Sequence, residues 1–307
     1  MKKILFIILL LPLFVHAQNF EKIVLDASDE TTGYYLAVKP RGEIQGVLVL
    51  MPGFNEKPEN IFSETSLHNK AYANNILTLV IPFGAKIYAD APKVNNINRA
   101  LRDSINRFHA DSKKYVVGGF SAGGTIALRY TELCHEKPGD YPVVPRAVFS
   151  IDSPVDLIDL SRYFNRELKK NFSQAGVNEA KFVGEIMKTE LGGTPDSNPA
   201  SYSFHTPFET RLEKTGNEQF LKNIPVRVYH DVDPVWQLQN RRRSFLDNNA
   251  TAASELILRL MLMGNDRAEF IQAKQPGHRS NGMRHPHSWN IVDEVEFIQW
   301  MKSVLQG

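Results

Sequence analysis

Short, uninterrupted apolar runs alternate with helical stripes along this chain, and that rhythm leaves few folds open. Gly46-Val-Leu-Val-Leu-Met51 stops at Pro52-Gly53, and Asn75-Ile-Leu-Thr-Leu-Val-Ile81 stops at Pro82. A strand with one face in water alternates apolar and polar residues, so runs without alternation belong to strands covered on both faces. Tyr115-Val-Val117, Ala147-Val-Phe-Ser-Ile151, Pro225-Val-Arg-Val-Tyr229 and Glu269-Phe-Ile-Gln-Ala273 read as further strands. Helical spacing links Ile97, Leu101, Ile105 and Phe108, then Ile126, Tyr130 and Leu133, and finally Val292, Val295, Ile298, Met301 and Leu305. A further helix is expected within 59–73. This alternation predicts an α/β architecture, a doubly wound and mostly parallel sheet with helices on both faces. Ile23-Val-Leu25 and Tyr34-Tyr-Leu-Ala-Val38 predict an edge hairpin leading into that sheet.

The stretch from about 152 to 223 departs from the rhythm. It has helical patches at Leu157 to Leu168 and Glu179 to Leu191, then Gly192-Gly-Thr-Pro195 and a loop-rich run, but no buried-type strand. It reads as a lid or cap inserted into one domain spanning 18–307. Ahead of that domain, Lys2 and Lys3 precede the apolar run Ile4 to Val15, and Val15-His16-Ala17 ends in a small residue. This is the layout of a secretory signal peptide cleaved after Ala17. The run is too short to make a comfortable membrane span. The expectation is therefore an exported protein, periplasmic or secreted, without a stable membrane anchor after cleavage.

Composition narrows the partners. With 36 basic and 34 acidic residues the formal charge is +2, which argues against a nucleic-acid surface. The lone Cys134 excludes an internal disulfide framework. Arg241-Arg242-Arg243 reads as a solvated basic helix face, the alternative being an anion or substrate-carboxylate contact. Asn171-Phe-Ser173 and Asn249-Ala-Thr251 match the glycosylation acceptor pattern.

The sharpest chemical signal is Gly119-Phe-Ser-Ala-Gly123, a G-x-S-x-G sequence between the strand at Tyr115 and the helical stripe starting at Ile126. A nucleophilic serine there must sit on a tight turn, and glycines two before and two after give the clearance that turn needs. The turn lifts the Ser121 hydroxyl clear of the sheet. It also puts the Ala122 N–H at a helix N-terminus, where it can donate to a developing oxyanion.

With this turn in this context, the chain from about Tyr34 to Leu305 resembles the α/β-hydrolase superfamily, in particular its small serine esterases and prolyl-oligopeptidase-like members. The resemblance implies a triad in the order serine, carboxylate, histidine. In Tyr229-His-Asp-Val-Asp-Pro-Val235 the family pattern selects Asp233 as the acid, with Asp231 beside it. Some relatives carry the acid after the preceding strand, which makes Asp152 and Asp156 alternatives, and Asp233 could instead cap a helix starting near Trp236. For the base, His287 before the closing helix is selected over His278 and His285. The resemblance places the second oxyanion donor in Pro52-Gly-Phe-Asn55, at the Phe54 N–H. Phe54, Phe120, Tyr202 and Trp236 are expected around the site. These parts imply a serine hydrolase acting on a small-molecule ester or acyl substrate, most simply a carboxylesterase, with no metal or organic cofactor. A peptidase or acyl-peptide hydrolase, or a binding protein that kept the fold without the reaction, would share most of the pattern.

Overall fold

The computed structural model describes residues 20–306, so the leader expected over 1–17 lies outside the described residues. The strands are β1 (Glu21–Val24), β2 (Tyr34–Val38), β3 (Gly46–Met51), β4 (Ile76–Val80), β5 (Tyr115–Phe120), β6 (Ala147–Ile151), β7 (Val226–His230) and β8 (Ala268–Gln272). They form one sheet in the order β1-β2-β4-β3-β5-β6-β7-β8. The first two pairings, β1 with β2 and β2 with β4, are antiparallel. Every later pairing is parallel. The hairpin expected at the edge is thus β1–β2, with β1 outermost and β2 buried along its whole length between β1 and β4.

The helices are α1 (Ile61–Glu64), α2 (Leu67–Ala73), α3 (Ala91–Phe108), α4 (Ala122–Glu136), α5 (Leu157–Lys170), α6 (Gln174–Glu190), α7 (Pro199–His205), α8 (Pro234–Trp236), α9 (Asn249–Leu262) and α10 (Glu294–Gln306). The apolar runs of the central strands have the physical origin expected of them. In β3, Val47, Val49 and Met51 enter one core with α3, α4 and α9, while Leu48 and Leu50 enter a second core with α2 and α10. Successive strand residues point to opposite faces, so a strand with helices on both sides has no polar face to offer.

Two helices differ from the sequence reading. Helix α3 begins well before its apolar stripe, because Asp90 caps it by accepting from the Lys93 N–H (2.9 Å) and Pro92 sits in the first turn, where its missing N–H costs nothing. Helix α9 was not anticipated, although Leu256, Ile257 and Leu260 form its buried stripe.

Between β6 and β7 lie α5, α6 and α7 with no strand among them. Leu157, Ile158, Phe164, Val183, Met187 and Tyr202 of these helices form a third apolar cluster that reaches Ala122. Arg129 of α4 fixes the segment from below. Its Nε donates to the Phe204 carbonyl (2.8 Å) and its charge is met by the buried Glu132 carboxylate.

Candidate active site

Strand β5 runs through Gly118 and Gly119 to Phe120 and turns at once into α4, leaving Ser121 alone at the turn. Ser121 has φ 54° and ψ −125°, a conformation that costs a non-glycine residue on the order of 1–3 kcal/mol. The two motif glycines make the turn possible by close approach. A Cβ at Gly119 would lie 2.5 Å from the Met51 carbonyl oxygen, and one at Gly123 only 2.1 Å from the same atom. Side chains there would push the turn away from the end of β3.

The raised hydroxyl meets an imidazole. Ser121 Oγ lies 3.0 Å from Nε2 of His287, within the reach that proton transfer requires. On the other side of the ring, Nδ1 donates to Asp152 Oδ2 at 2.7 Å. A carboxylate only accepts, so this contact fixes the proton on Nδ1 and leaves Nε2 to accept from the serine. The ring is clamped by Phe120, whose centroid lies 4.4 Å away, and the chain beyond it is anchored by the fully buried Trp289.

Asp152, directly after β6, therefore occupies the position the family pattern assigned to Asp233. It too is held at positive φ (42°), with its N–H donating to the Tyr229 carbonyl (2.8 Å) and its carbonyl accepting from Asn249 Nδ2 (2.8 Å). Asn249, read from sequence as a glycosylation acceptor, thus has its amide engaged at the site. The second Asp152 oxygen accepts from Nδ1 of His230 at 3.0 Å. Burial opposes ionisation of Asp152, but the charge of His287 and the hydrogen bonds from both rings outweigh it and hold the carboxyl well below the usual carboxylate range.

His230 had no role in the sequence reading. It ends β7, is 1% exposed, and stacks almost flat on Phe270 with the planes 10° apart. Its Nε2 is buried and makes no hydrogen bond among the described residues. The only hint in the sequence is that a histidine ends the strand next to the one that leads into Asp152.

Asp233 is corrected by the same geometry. One of its oxygens accepts from the Trp236 N–H (2.9 Å), capping α8, and the other accepts from Arg284 Nη2 (2.9 Å). Asp231 binds Arg284 Nη1 (2.7 Å) and the Gly277 N–H (2.7 Å). The aspartate pair thus braces the loop that carries His287, with Arg284 as the crosspiece. Asp156 caps α5 and binds Thr210, away from His287.

The other two histidines are not at the serine. His278 takes part in a short bridge with Arg284, its N–H donating to Asn290 Oδ1 (2.9 Å). His285 supports its neighbour: Nδ1 accepts from the His287 N–H (3.1 Å), while Nε2 lies 2.8 Å from Arg241 Nη2. Burial, His287 and two nearby arginines push the His285 ring from its ordinary 6.5 down to about 3. Among the described residues no group of three or more His, Cys, Asp or Glu is arranged to hold a metal ion.

The loop after β3 presents the Phe54 N–H by using up its neighbours. The Gly53 N–H donates to Glu56 Oε2 (2.6 Å), the Asn55 N–H to the Gly84 carbonyl (3.0 Å), and the Glu56 N–H back to the Gly53 carbonyl (3.1 Å). Glu56 also accepts from the Trp289 indole N–H (3.2 Å), so one carboxylate ties this loop to the segment bearing His287. On the other side, the Ser121 N–H donates to the Ile151 carbonyl (2.9 Å), while Ala122 stands at the first position of α4, where backbone donors have no partner within the helix.

Ser121 and His287 open into a cavity of about 710 Å³, roofed by α5 and α6. Phe54 and Trp236 line it, Phe120 lies beneath His287, and Tyr202 is buried with its hydroxyl on the Gly193 carbonyl (3.1 Å). The three consecutive arginines do not form one solvated face. Arg241 ends a π-helical turn and lines the cavity, Arg243 pairs with Glu167, and Arg242 at φ 52° lies over Phe172.

No protein-family model and no curated protein sequence matches the chain. Solved structures do. Carboxyl esterase 2 from the mycorrhizal fungus Tuber melanosporum superposes with a TM-score of 0.59 at 15% identity, covering 97% of this chain and 89% of that one. Fungal esterase from Rhizomucor miehei gives 0.56 at 16% identity, over 94% and 83%. Lipase/esterase from Lactobacillus plantarum gives 0.51 at 11% identity, over 94% and 99%. Sheet order, the turn at Ser121 and these likenesses agree: the chain has the α/β-hydrolase fold.

Proposed function

We propose that this protein is a serine hydrolase of carboxylic esters in which Ser121 is the nucleophile, His287 the base and Asp152 the acid. The observation that carries the reading is the continuous path from Ser121 Oγ to His287 Nε2 (3.0 Å) and from His287 Nδ1 to Asp152 (2.7 Å). His287 takes the Ser121 proton as Oγ bonds to the acyl carbon. The carbonyl oxygen becomes an oxyanion between the N–H groups of Phe54 and Ala122, each worth about 3–4 kcal/mol in such a place. Collapse expels the alcohol, which leaves with the proton held on His287, and the acyl group stays on Ser121. Water then gives its proton to His287, attacks the acyl carbon, and the acid departs as Ser121 regains its proton. Asp152 remains ionised throughout and stabilises the charged ring. Several of the structural likenesses are esterases or lipases, which favours esters over peptides as substrates. The leader-like sequence at 1–17 supports export, so the working protein would begin at Gln18.

A fluorophosphonate probe tests the reading. Labelling of the parent and its absence in Ser121→Ala are expected, together with loss of p-nitrophenyl butyrate hydrolysis. A Ser121→Ala protein that still turned over the ester would defeat it.

A further inference from the structure

Six arginines line the cavity above Ser121: Arg162, Arg166, Arg211, Arg241, Arg243 and Arg279. Four of them are neutralised. Arg162 pairs with Asp159, Arg166 with Asp247, Arg211 with Glu209 and Arg243 with Glu167. Arg241 and Arg279 have no carboxylate partner among the described residues, and they are the two that flank His287. The Arg279 guanidinium lies over the face of Phe120 (5.3 Å to the centroid), the ring that supports His287. Arg241 lies on His285, whose other nitrogen holds the His287 backbone.

Neither arginine is satisfied where it stands. Arg279 makes no side-chain hydrogen bond among the described residues, although its five N–H groups are donors and it is half-buried. The carboxylates near it are committed elsewhere: Glu64 to the Ser280 N–H and hydroxyl, Glu56 to Gly53 and Trp289, Asp152 to the two histidines. Burial pushes Arg279 down from its ordinary value; the charges of Glu64, Glu56 and Asp152 oppose that push without reversing it, and the charge of Arg241 adds a smaller part to it. Arg241 faces an imidazole nitrogen that cannot accept from it while the other nitrogen of that neutral ring accepts from the His287 N–H, and it lies over the ring of Trp236 (5.6 Å), a weak substitute for an anion. Unpaired, partly desolvated guanidinium groups are costly unless an anion completes them, and their planar forks fit the two oxygens of a carboxylate.

We propose that Arg241 and Arg279 form an anion subsite, and that the substrate is an ester carrying a carboxylate alongside the scissile bond. This rests on the serine-hydrolase reading and narrows it to a substrate class. The carboxylate replaces the missing partners, while the ester carbonyl reaches Ser121 with its oxygen toward Phe54 and Ala122. The other four arginines of the cavity are already paired, so its unpaired positive charge is local to the nucleophile.

The test compares matched esters within each protein. On the acyl side, p-nitrophenyl hemiglutarate is set against p-nitrophenyl valerate; on the alcohol side, 4-butyryloxybenzoate is set against its methyl ester. The parent is expected to favour one anionic member by at least about tenfold in kcat/KM, the scale of one charge-assisted hydrogen bond. Which arm responds tells the side of the scissile bond on which the carboxylate lies. The ratio should fall toward one in Arg279→Gln and in Arg241→Gln, chiefly through KM, and be partly retained in Arg279→Lys. Taking the ratio within each variant cancels any general loss of folded protein, and added salt should lower it in the parent alone. A parent that hydrolyses the neutral esters without preferring either anionic one overturns the subsite but leaves the hydrolase intact. So does a preference that survives the double variant. Absence of hydrolysis and of Ser121 labelling would instead sink the underlying reading.

Discussion

Strands β6 and β7 lie side by side, in register from Val148 opposite Val226 to Ile151 opposite Tyr229, and each runs into an aspartate-bearing loop. The two loops do different work. After β6 the chain turns at once through positive φ, which aims Asp152 at both His287 and His230. β7 itself runs one residue further, to His230, and the aspartates beyond it are drawn onto Arg284 and the start of α8. Carboxylates just beyond the ends of neighbouring strands are thus divided between holding the His287 ring and holding the loop that carries it. A strand end is an address for an acid, and the conformation of the next residue decides whether it is used.

Substitutions at the two ends separate these duties. Asp152→Asn keeps the shape but lets the wrong tautomer of His287 form, and kcat for ester hydrolysis should fall about ten-thousand-fold, measured alongside unchanged far-ultraviolet dichroism. His230→Phe keeps the stack on Phe270 but takes one hydrogen bond from Asp152, for an expected loss of about tenfold in kcat with KM little altered. Asp233→Asn weakens only the brace. It should lower the melting temperature by a few degrees, the effect of about 1 kcal/mol in a domain of this size, and change kcat less than either of the others. If Asp233→Asn proved the more damaging to kcat than Asp152→Asn, the division drawn here would be reversed.

A separate effect is on stability against pH. The folded His285 ring stays neutral down to about 3, whereas in the unfolded chain it takes a proton near 6.5. The unfolded state therefore binds more protons between those values, and stability from this group is complete above pH 6.5 and erodes as pH falls toward 3. Asp152, depressed by its histidines, adds a loss that begins only below the ordinary carboxylate value of 3.8. Urea melts of the parent and His285→Asn at pH 7 and pH 4.5 check the first part: the parent should lose more on acidification than the variant.

Much of this was legible beforehand. The central strands announced themselves because burial on both faces removes the polar positions that blur a pattern, and Ser121 and His287 lie in local sequence contexts that their chemistry demands. Asp152 was only an alternative, since the sequence around Ile151-Asp-Ser-Pro154 carries no sign of the positive φ that aims it. His230 was invisible because its worth comes from a neighbour 78 positions away. Arg241 was read with Arg242 and Arg243 as one basic face, a reading that assumed regular α-helix; the π-helical turn and the left-handed residue after it send the three side chains in different directions.

Glu56 gives the site a property that no single member of it has. Because one carboxylate holds both the Gly53 N–H and the Trp289 indole, the donors proposed to receive negative charge and the imidazole proposed to receive the proton are tied into one frame. A bulky substrate that pries the first loop outward must also drag the base from the nucleophile. Under the proposed reading poor fit is then punished twice, and widening the substrate range by loosening Phe54 and its neighbours would come at the expense of the turnover it was meant to broaden.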